Sequence, residues 1–303
     1  MKKTNWSAGR VALVALACIS LLGMRTVASA EVFSAFVTIE PNEQLWGSRA
    51  WAISPSGEIV GVAIETADGV HFHGFRLDKA GIYHRIDFPG AISTSARGIN
   101  ARGDIVGYYV DGSGNHGYLW KKNEPAPVAI NVSGANFTEA YGINARGDIV
   151  GRYRVGTTFH GFFLRGDPAV PNNYDRVDAP FSDVTLTFAV AINSRGDIAG
   201  QYKRAANPNT HGFVLRNGEF TTIDVPGATL TSANGMDAEG FIVGPYEVGG
   251  VRHGYRWHDG EFTLIDLQGA TVTHAAGINP RGEIVGYYNA NGVDHGFFLP
   301  DVD

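Results

Sequence analysis

The chain has 303 residues, with 40 glycines, a single cysteine and a formal net charge of −6 at pH 7. This acidic balance excludes the basic footprint of a protein that binds nucleic acid or inserts next to anionic lipid. One cysteine excludes a disulfide framework, and the sequence has no phosphate loop, dinucleotide fingerprint, zinc motif or nucleophile elbow.

Residues 1–30 have the pattern of a secretory signal peptide. Basic residues come first, an apolar run from Val11 to Met24 follows, and Ala28-Ser29-Ala30 forms the cleavage signal. The run is too short for a membrane-spanning helix. We therefore expect cleavage after Ala30 and a secreted or periplasmic protein made of one domain, residues 31–303. Because Cys18 lies in the leader, the mature chain has no cysteine.

The first strand of the mature chain matches a segment that elsewhere comes last in a repeat. Phe36 to Glu40 resembles Phe220 to Asp224, the fourth strand of a repeat. The last repeat, by contrast, reaches only its third strand before Pro300, three residues from the end of the sequence. The sequence thus predicts that the N-terminal strand completes the last repeat and closes a ring.

Between these ends, one unit recurs six times. A His-Gly-aromatic motif marks each copy, at His73, His116, His160, His211, His253 and His295. A glycine marks the strand before it, at Gly61, Gly107, Gly151, Gly200, Gly244 and Gly286. Successive glycines are 42 to 49 residues apart, a period typical of a propeller blade of four short strands.

Each copy reads as four strands, which we name A to D. Strand A ends at a turn such as Asn100 to Asp104, where Asn and Gly predict a type I turn with a G1 bulge. Strand B is β-branched and aromatic apart from one Gly that admits a neighbouring backbone. No stretch has a helical apolar period. We predict an all-β fold, a six-bladed β-propeller of four-stranded blades.

The motif pair resembles the bacterial extracellular HAF-repeat family. Gly98-Ile99-Asn100 with Asp104-Ile105-Val106-Gly107, followed by His116-Gly117, carries the resemblance, although His-Gly-Phe or His-Gly-Tyr stands in place of His-Ala-Phe. The resemblance covers nearly all of the mature chain. It implies export and a repeated β architecture, and it assigns no catalytic residue.

Three repeated features have structural explanations. The six histidines lie one per blade and do not converge as metal ligands must, so we predict imidazoles bonded to neighbouring backbone and no metal or cofactor. Three Arg-Gly-Asp triplets fall in the A–B turn, where turn chemistry explains them. The strand-D acids are expected to accept backbone N–H bonds in the turns that follow. The triplets begin at Arg102, Arg146 and Arg195.

Positions that differ between copies are the better candidates for a ligand site. In strand A, the residues on either side of the repeated Ala vary, and they are expected at the mouth of a central channel, together with positions on strand B. The predicted ligand-binding residues are Arg49, Trp51, Arg97, Glu139, Tyr141, Asn234, His274, Tyr108 and Tyr287. Residues just before the repeated His, such as Asn115, Arg252 and Asp294, should share this face.

Aromatic rings beside Arg, Glu and Asn suit a carbohydrate or another small polar extracellular ligand. The first hypothesis is therefore a monomeric binding module. The second is a polysaccharide lyase, glycosidase or lactonase, with His274 or Tyr141 as base, Glu139 as acid and Arg49 or Arg97 neutralising a substrate carboxylate. The third is an envelope scaffold with protein partners.

Overall fold

The computed structural model describes residues 30–33, 36–40, 46–66, 71–166, 168 and 174–300. Within these ranges the chain forms 26 strands and no helix. The predicted signal peptide, apart from Ala30, lies outside the described residues.

Two short strands precede the repeats, β1 (Ala30–Phe33) and β2 (Val37–Ile39). Antiparallel pairing then joins the strands into consecutive units, which we number 1 to 6. Unit 1 comprises β3 (Gly47–Ile53), β4 (Ile59–Ile64), β5 (Phe72–Leu77) and β6 (Tyr83–Ile86). Unit 2 comprises β7 (Ser93–Ile99), β8 (Ile105–Asp111), β9 (Gly114–Trp120) and β10 (Val128–Ile130). Unit 3 comprises β11 (Thr138–Ile143), β12 (Ile149–Val155), β13 (Thr158–Leu164) and β14 (Tyr174–Val177).

The later units repeat this order with small changes. Unit 4 comprises β15 (Val184–Ile192), β16 (Ile198–Arg204), β17 (Asn207–Arg216) and β18 (Glu219–Ile223). Unit 5 has a divided strand A, and comprises β19 (Leu230–Thr231), β20 (Gly235–Met236), β21 (Ile242–Val248), β22 (Val251–His258) and β23 (Glu261–Leu267). Unit 6 comprises β24 (Val272–Ile278), β25 (Ile284–Ala290) and β26 (Val293–Leu299). Single parallel pairs, Phe159 with Leu186 and Thr210 with Leu230, link units 3, 4 and 5 into one larger sheet.

The A–B turns have the predicted geometry. In unit 2 the Gly103 N–H donates to the Asn100 carbonyl at 3.0 Å, and Gly103 has φ +84°. The Asn100 side-chain oxygen accepts the N–H groups of Arg102 and Asp104 at 2.9 and 3.0 Å. This is a type I turn with a G1 bulge, stabilised by its Asn.

The same turns also bind each unit to the next. The Asn100 amide donates to the Asn144 carbonyl of unit 3 at 3.2 Å. The Arg146 guanidinium donates to the Ser194 carbonyl of unit 4 at 2.8 Å, and also pairs with Asp148 in its own turn at 2.9 Å. Turn and inter-unit bonding therefore occupy the Arg-Gly-Asp side chains, as the structural explanation predicts.

Glycine in strand B is required by its neighbours. A Cβ on Gly107 would lie 1.9 Å from the Ser95 carbonyl oxygen and 2.9 Å from the Tyr118 ring. Tyr118 is the aromatic residue of the His-Gly motif and is fully buried. The close approach of strand A and this ring explains why the glycine recurs, and it confirms the predicted backbone contact.

The repeated His has a different partner from the one predicted. Its Nδ1–H donates to the side chain at the end of strand D, as in His211 with Asp224 and His253 with Asp266, both at 2.8 Å. The backbone N–H after this acid instead donates to a Thr, as in Val225 to Thr231 at 3.1 Å. The predicted backbone partners of both the His and the acid are wrong, because the two side chains satisfy each other across strands C and D.

The N-terminal strands meet two different units. β2 pairs antiparallel with β26, through Val37 with Phe298 and Ile39 with Gly296, as its sequence predicts. The Glu40 carboxylate accepts the His295 Nδ1–H at 2.7 Å, in the place of a strand-D acid. β1, which the repeat pattern did not predict, pairs in parallel with β23 of unit 5.

Candidate functional site

The variable residue after the repeated Ala is the extra residue of a β-bulge. The strand A–strand B register shifts between Ala50 and Ala52, and at the equivalent place in units 2, 3, 4 and 6. A bulge redirects a side chain out of the regular alternation. In unit 5 the equivalent Asn234 lies in the gap between β19 and β20.

These bulge residues line a cavity of about 100 Å³ along the strand-A edges of the units. Its variable lining is Trp51, Arg97, Tyr141, Val190, Asn234 and Ala276. Further along strand A, next to the A–B turns, it is lined by apolar side chains, Ile53, Ile99, Ile143, Ile192, Met236 and Ile278. We call this space the channel and the apolar ring its floor. These six side chains are buried. The variable residues lie at the opposite end of the lined stretch of strand A, which we call the mouth.

Arg97 lies between two aromatic rings of neighbouring units. Its guanidinium carbon is 3.8 Å from the Trp51 ring centre and 4.8 Å from the Tyr141 ring centre. Such cation–π contacts fix the group without using its N–H donors. The Arg97 side chain makes no hydrogen bond or ion pair to any other described residue.

Glu139 is the centre of a buried polar cluster. Its Oε1 accepts from Asn115 at 2.7 Å, and its Oε2 accepts from Arg152 Nε at 2.7 Å and from the Tyr141 hydroxyl. The Arg152 guanidinium lies 4.4 Å from the Phe188 ring centre. Burial raises the pKa of Tyr141 well above its ordinary value, and the negative charge of Glu139 adds to this effect. Tyr141 is therefore a neutral donor held in place.

His274 is buried and neutral. Burial, and then the positive charges of Arg252, Arg97 and Arg49, lower the pKa of His274 well below its ordinary value. Its Nε2 accepts from the Asn234 amide at 2.9 Å, which places the proton on Nδ1. The Nδ1–H and the Trp51 Nε1–H are buried and find no acceptor among the described residues.

The positive charge of Arg49, in unit 1, is neutralised by Asp294 of unit 6. Its Nε and Nη2 lie 2.7 and 2.6 Å from the Asp294 Oδ2. The same kind of contact joins Asn115 to Glu139 and Phe159 to Phe188, whose ring centres are 5.6 Å apart. The residue before His in one unit thus pairs with the residue before Ala in the next, so variation at these positions partly reflects matched packing between units.

The structure therefore separates the predicted residues into two groups. Trp51, Arg97, Tyr141 and Asn234 line the channel. Outside the lining, Glu139 bonds to Tyr141 and His274 to Asn234, whereas Arg49 contacts Asp294 and Tyr287. The Tyr287 ring is covered by His274, with centres 4.6 Å apart, and by Arg49. Tyr108 is half-buried against Phe72, with ring centres 6.1 Å apart, and is not in the cavity lining.

Some contributors were not among the predicted ligand-binding residues. Arg152 on strand B and Asp294 before the repeated His were expected only to share this face, and they complete the ion pairs of the mouth. The apolar ring that forms the floor was not predicted. The recurring Ile before each turn was visible in the sequence, but only the bulge shows that it faces the channel. Among the described residues, no three His, Cys, Asp or Glu side chains are placed to hold a metal ion, and no helix is long and apolar enough to cross a membrane.

Comparison with known proteins identifies the fold. No protein-family model and no curated protein matches the chain. Solved structures do match. A putative TolB from Agrobacterium tumefaciens has a TM-score of 0.54 at 12% identity, over 84% of this chain and 91% of its own. The Hadza microbial sialidase Hz136 has a TM-score of 0.56 at 10% identity, over 91% of this chain and 70% of its own.

A gluconolactonase from Xanthomonas campestris is also similar, with a TM-score of 0.51 at 9% identity, over 88% of this chain and 90% of its own. At such low identity the likeness shows the fold alone. The chain is an all-β protein with a β-propeller fold.

Proposed function

We propose that the chain is an exported six-bladed β-propeller, closed by β2, that binds a carbohydrate at the mouth of its channel without transforming it. Each unit is then one four-stranded blade. Export rests on the signal-peptide pattern, and the resemblance to the HAF-repeat family also stays a prediction.

One observation carries the proposal. The channel is lined at its mouth by side chains that differ from unit to unit, while the turns at the other end are nearly uniform and bonded to one another. A concave site with an apolar floor and a few polar groups is typical of a small-ligand pocket. Similar folds are found in a sialidase and in a gluconolactonase, which agrees with a sugar ligand.

The geometry favours binding over catalysis. All donors around Glu139 point to its carboxylate, the neutral Tyr141 donates to that carboxylate, and His274 Nε2 already accepts from Asn234. The two predicted bases, Tyr141 and His274, are thus not free to take a proton from a substrate, and the predicted acid, Glu139, is already occupied as an acceptor of three donors.

A glycan array with the purified protein tests this function, followed by titration of the best sugar against two variants. Arg97→Ala removes a channel side chain, and we expect at least tenfold weaker binding, the scale of one good contact. Arg102→Ala, in the turn that follows the same strand, is the control and should leave affinity unchanged. Equal losses in both variants, or no bound glycan, would contradict the proposal.

A further inference from the structure

Arg97, which lines the channel, has no carboxylate partner among the described residues. Arg49 pairs with Asp294 at 2.6 Å, Arg152 with Glu139 at 2.6 Å, and Arg252 with Glu247 at 3.5 Å. Arg97, by contrast, has only the two aromatic rings as partners within the described part of the chain. In a chain of net charge −6, an unpaired cation beside a cavity marks a position for an anion.

The way Arg97 is held leaves its hydrogen bonds available. Both ring contacts are cation–π contacts, and the Arg97 N–H groups find no acceptor among the described residues. These N–H groups therefore remain available for a carboxylate, whose geometry the guanidinium fork matches. Trp51 and Tyr141 are themselves partly or fully buried, so the group is positioned before any ligand arrives. Such preorganisation lowers the cost of binding.

Two buried N–H donors close to Arg97 lack a hydrogen-bond acceptor in the described part of the chain. The Trp51 Nε1–H and the His274 Nδ1–H lack acceptors among the described residues, and the Trp51 and His274 rings lie 5.8 Å apart. Unmet buried donors are costly, and an anion nearby would reduce that cost. The cavity of about 100 Å³ is smaller than a typical pocket for a whole ligand, about 300 Å³ or more. A small charged group fits it better than a sugar ring.

We propose that the ligand is an acidic saccharide whose carboxylate enters the channel and binds Arg97, while its ring stays at the mouth. That the ligand is a saccharide rests on the proposed function, whereas the presence of a carboxylate rests on the contacts of Arg97. It also distinguishes the two arginines of the sequence hypothesis, because Arg49 already has Asp294 as its partner.

Titration calorimetry with four probes tests the proposal: sodium galacturonate, its methyl ester, galactose and sodium acetate. We expect galacturonate to bind at least tenfold more tightly than galactose or the ester. Arg97→Gln should abolish that preference, and Arg97→Lys should restore it only in part, because an ammonium lacks the fork. Arg102→Gln is the matched control, and thermal melting checks that each variant is folded.

The outcomes separate the two proposals. Equal affinity for galacturonate and galactose overturns the carboxylate inference and leaves carbohydrate binding intact. Acetate binding as tightly as galacturonate, with loss in Arg97→Gln, supports the carboxylate site but contradicts a sugar ligand. A preference that survives in Arg97→Gln shows that another residue binds the carboxylate and overturns the assignment. No binding of any probe overturns the inference.

Discussion

Asp237 begins the A–B turn of unit 5, where units 2, 3, 4 and 6 have Asn. Its Oδ1 accepts the N–H groups of Gly240 and Phe241 at 2.8 and 2.9 Å. Burial, and then the charge of Glu239, raises the pKa of the Asp237 carboxyl. The equivalent Asn193 makes the same turn bonds and also donates to the next unit, at 3.2 Å from the Asp237 carbonyl. Asp237 has no such donor.

Replacing Asp237 with Asn should therefore stabilise the protein at pH 7, by about 0.5–1.5 kcal/mol for the added hydrogen bond. A raised native pKa means that the wild type gains stability as the pH falls toward the ordinary Asp value of 3.8. The advantage of the variant should shrink over that range. Urea unfolding of both proteins at pH 7 and pH 4 measures it, and a gain that does not change with pH would contradict this account.

His274 gives the opposite pH dependence. Because its native pKa lies below the ordinary value of 6.5, the unfolded chain binds more protons at mildly acidic pH. Stability is then fully present above pH 6.5 and is lost as the pH falls, by at most about 1.4 kcal/mol per pH unit. His274→Phe keeps an aromatic ring against Tyr287 but cannot titrate.

Unfolding free energies of the wild type and His274→Phe between pH 7.5 and 5 test this. We expect the variant to be less stable at pH 7.5, because it loses the bond from Asn234, and to have a shallower slope below pH 6.5. All other ionisable groups are the same in both proteins, so their contributions cancel in the comparison. Parallel curves would show that His274 is not a buried neutral group.

At the scale of the strand, two glycines of unit 2 differ in how closely their neighbours pack: one lies in strand β8 and the other in the turn that follows it. A Cβ on Gly107 would meet the Ser95 carbonyl oxygen at 1.9 Å, whereas a Cβ on Gly112 would meet nothing within 4 Å. Gly107→Ala should cost at least about 2 kcal/mol, because backbone must move. Gly112→Ala should stay within about 0.5 kcal/mol of the wild type. Chemical denaturation compares them, and equal effects would contradict the packing described.

The same strands show how far sequence reasoning reaches. The turn at Asn100, the glycine at Gly107 and the pairing of β2 follow from local chemistry and from comparison of the repeats. The bulge at Trp51 does not, because its cause is the contact between strands rather than the residue itself. The preference of the repeated His for the strand-D acid likewise depends on a pairing between strands that no single segment encodes.

A position differs between repeats either because it faces the channel or because it packs against a matched residue of the neighbouring unit. The sequence alone does not separate these two causes. Arg97 varies without a compensating partner and faces the channel. Arg49 varies together with Asp294, 245 residues away. Only the structure shows that the second pair is packing between the last and first units, and so removes Arg49 from the lining.

At the scale of the molecule, the last unit contacts the first through the same bonds that join other neighbours. The Arg281 guanidinium donates to the Pro55 carbonyl at 2.7 Å, and the Asn279 amide donates to the Ser54 carbonyl at 3.3 Å. The Gly296 N–H donates to the Ser48 hydroxyl at 2.9 Å. These contacts support a closed ring, in which each unit packs between two neighbours.

If β2 closes this ring, its loss should matter more than that of β1. β2 covers the edge of β26 and buries Ile39, whose exposed fraction is 4%. Thr38 and Glu40 also bond to Tyr288 and His295 at 3.1 and 2.7 Å. β1 instead adds a parallel strand outside β23, a strand that already has β22 as its partner.

A mature chain that lacks residues 32–40 should therefore aggregate or melt far below the intact protein, because β26 becomes an exposed edge. A chain that lacks only residues 31–33 loses β1 but keeps β2, and should melt close to the intact protein. Thermal melting and size-exclusion chromatography compare the three. If the longer deletion melts like the intact chain, β2 does not close the ring. If both deletions are equally damaging, the pairing of β1 with unit 5 stabilises the molecule as much as the closure does.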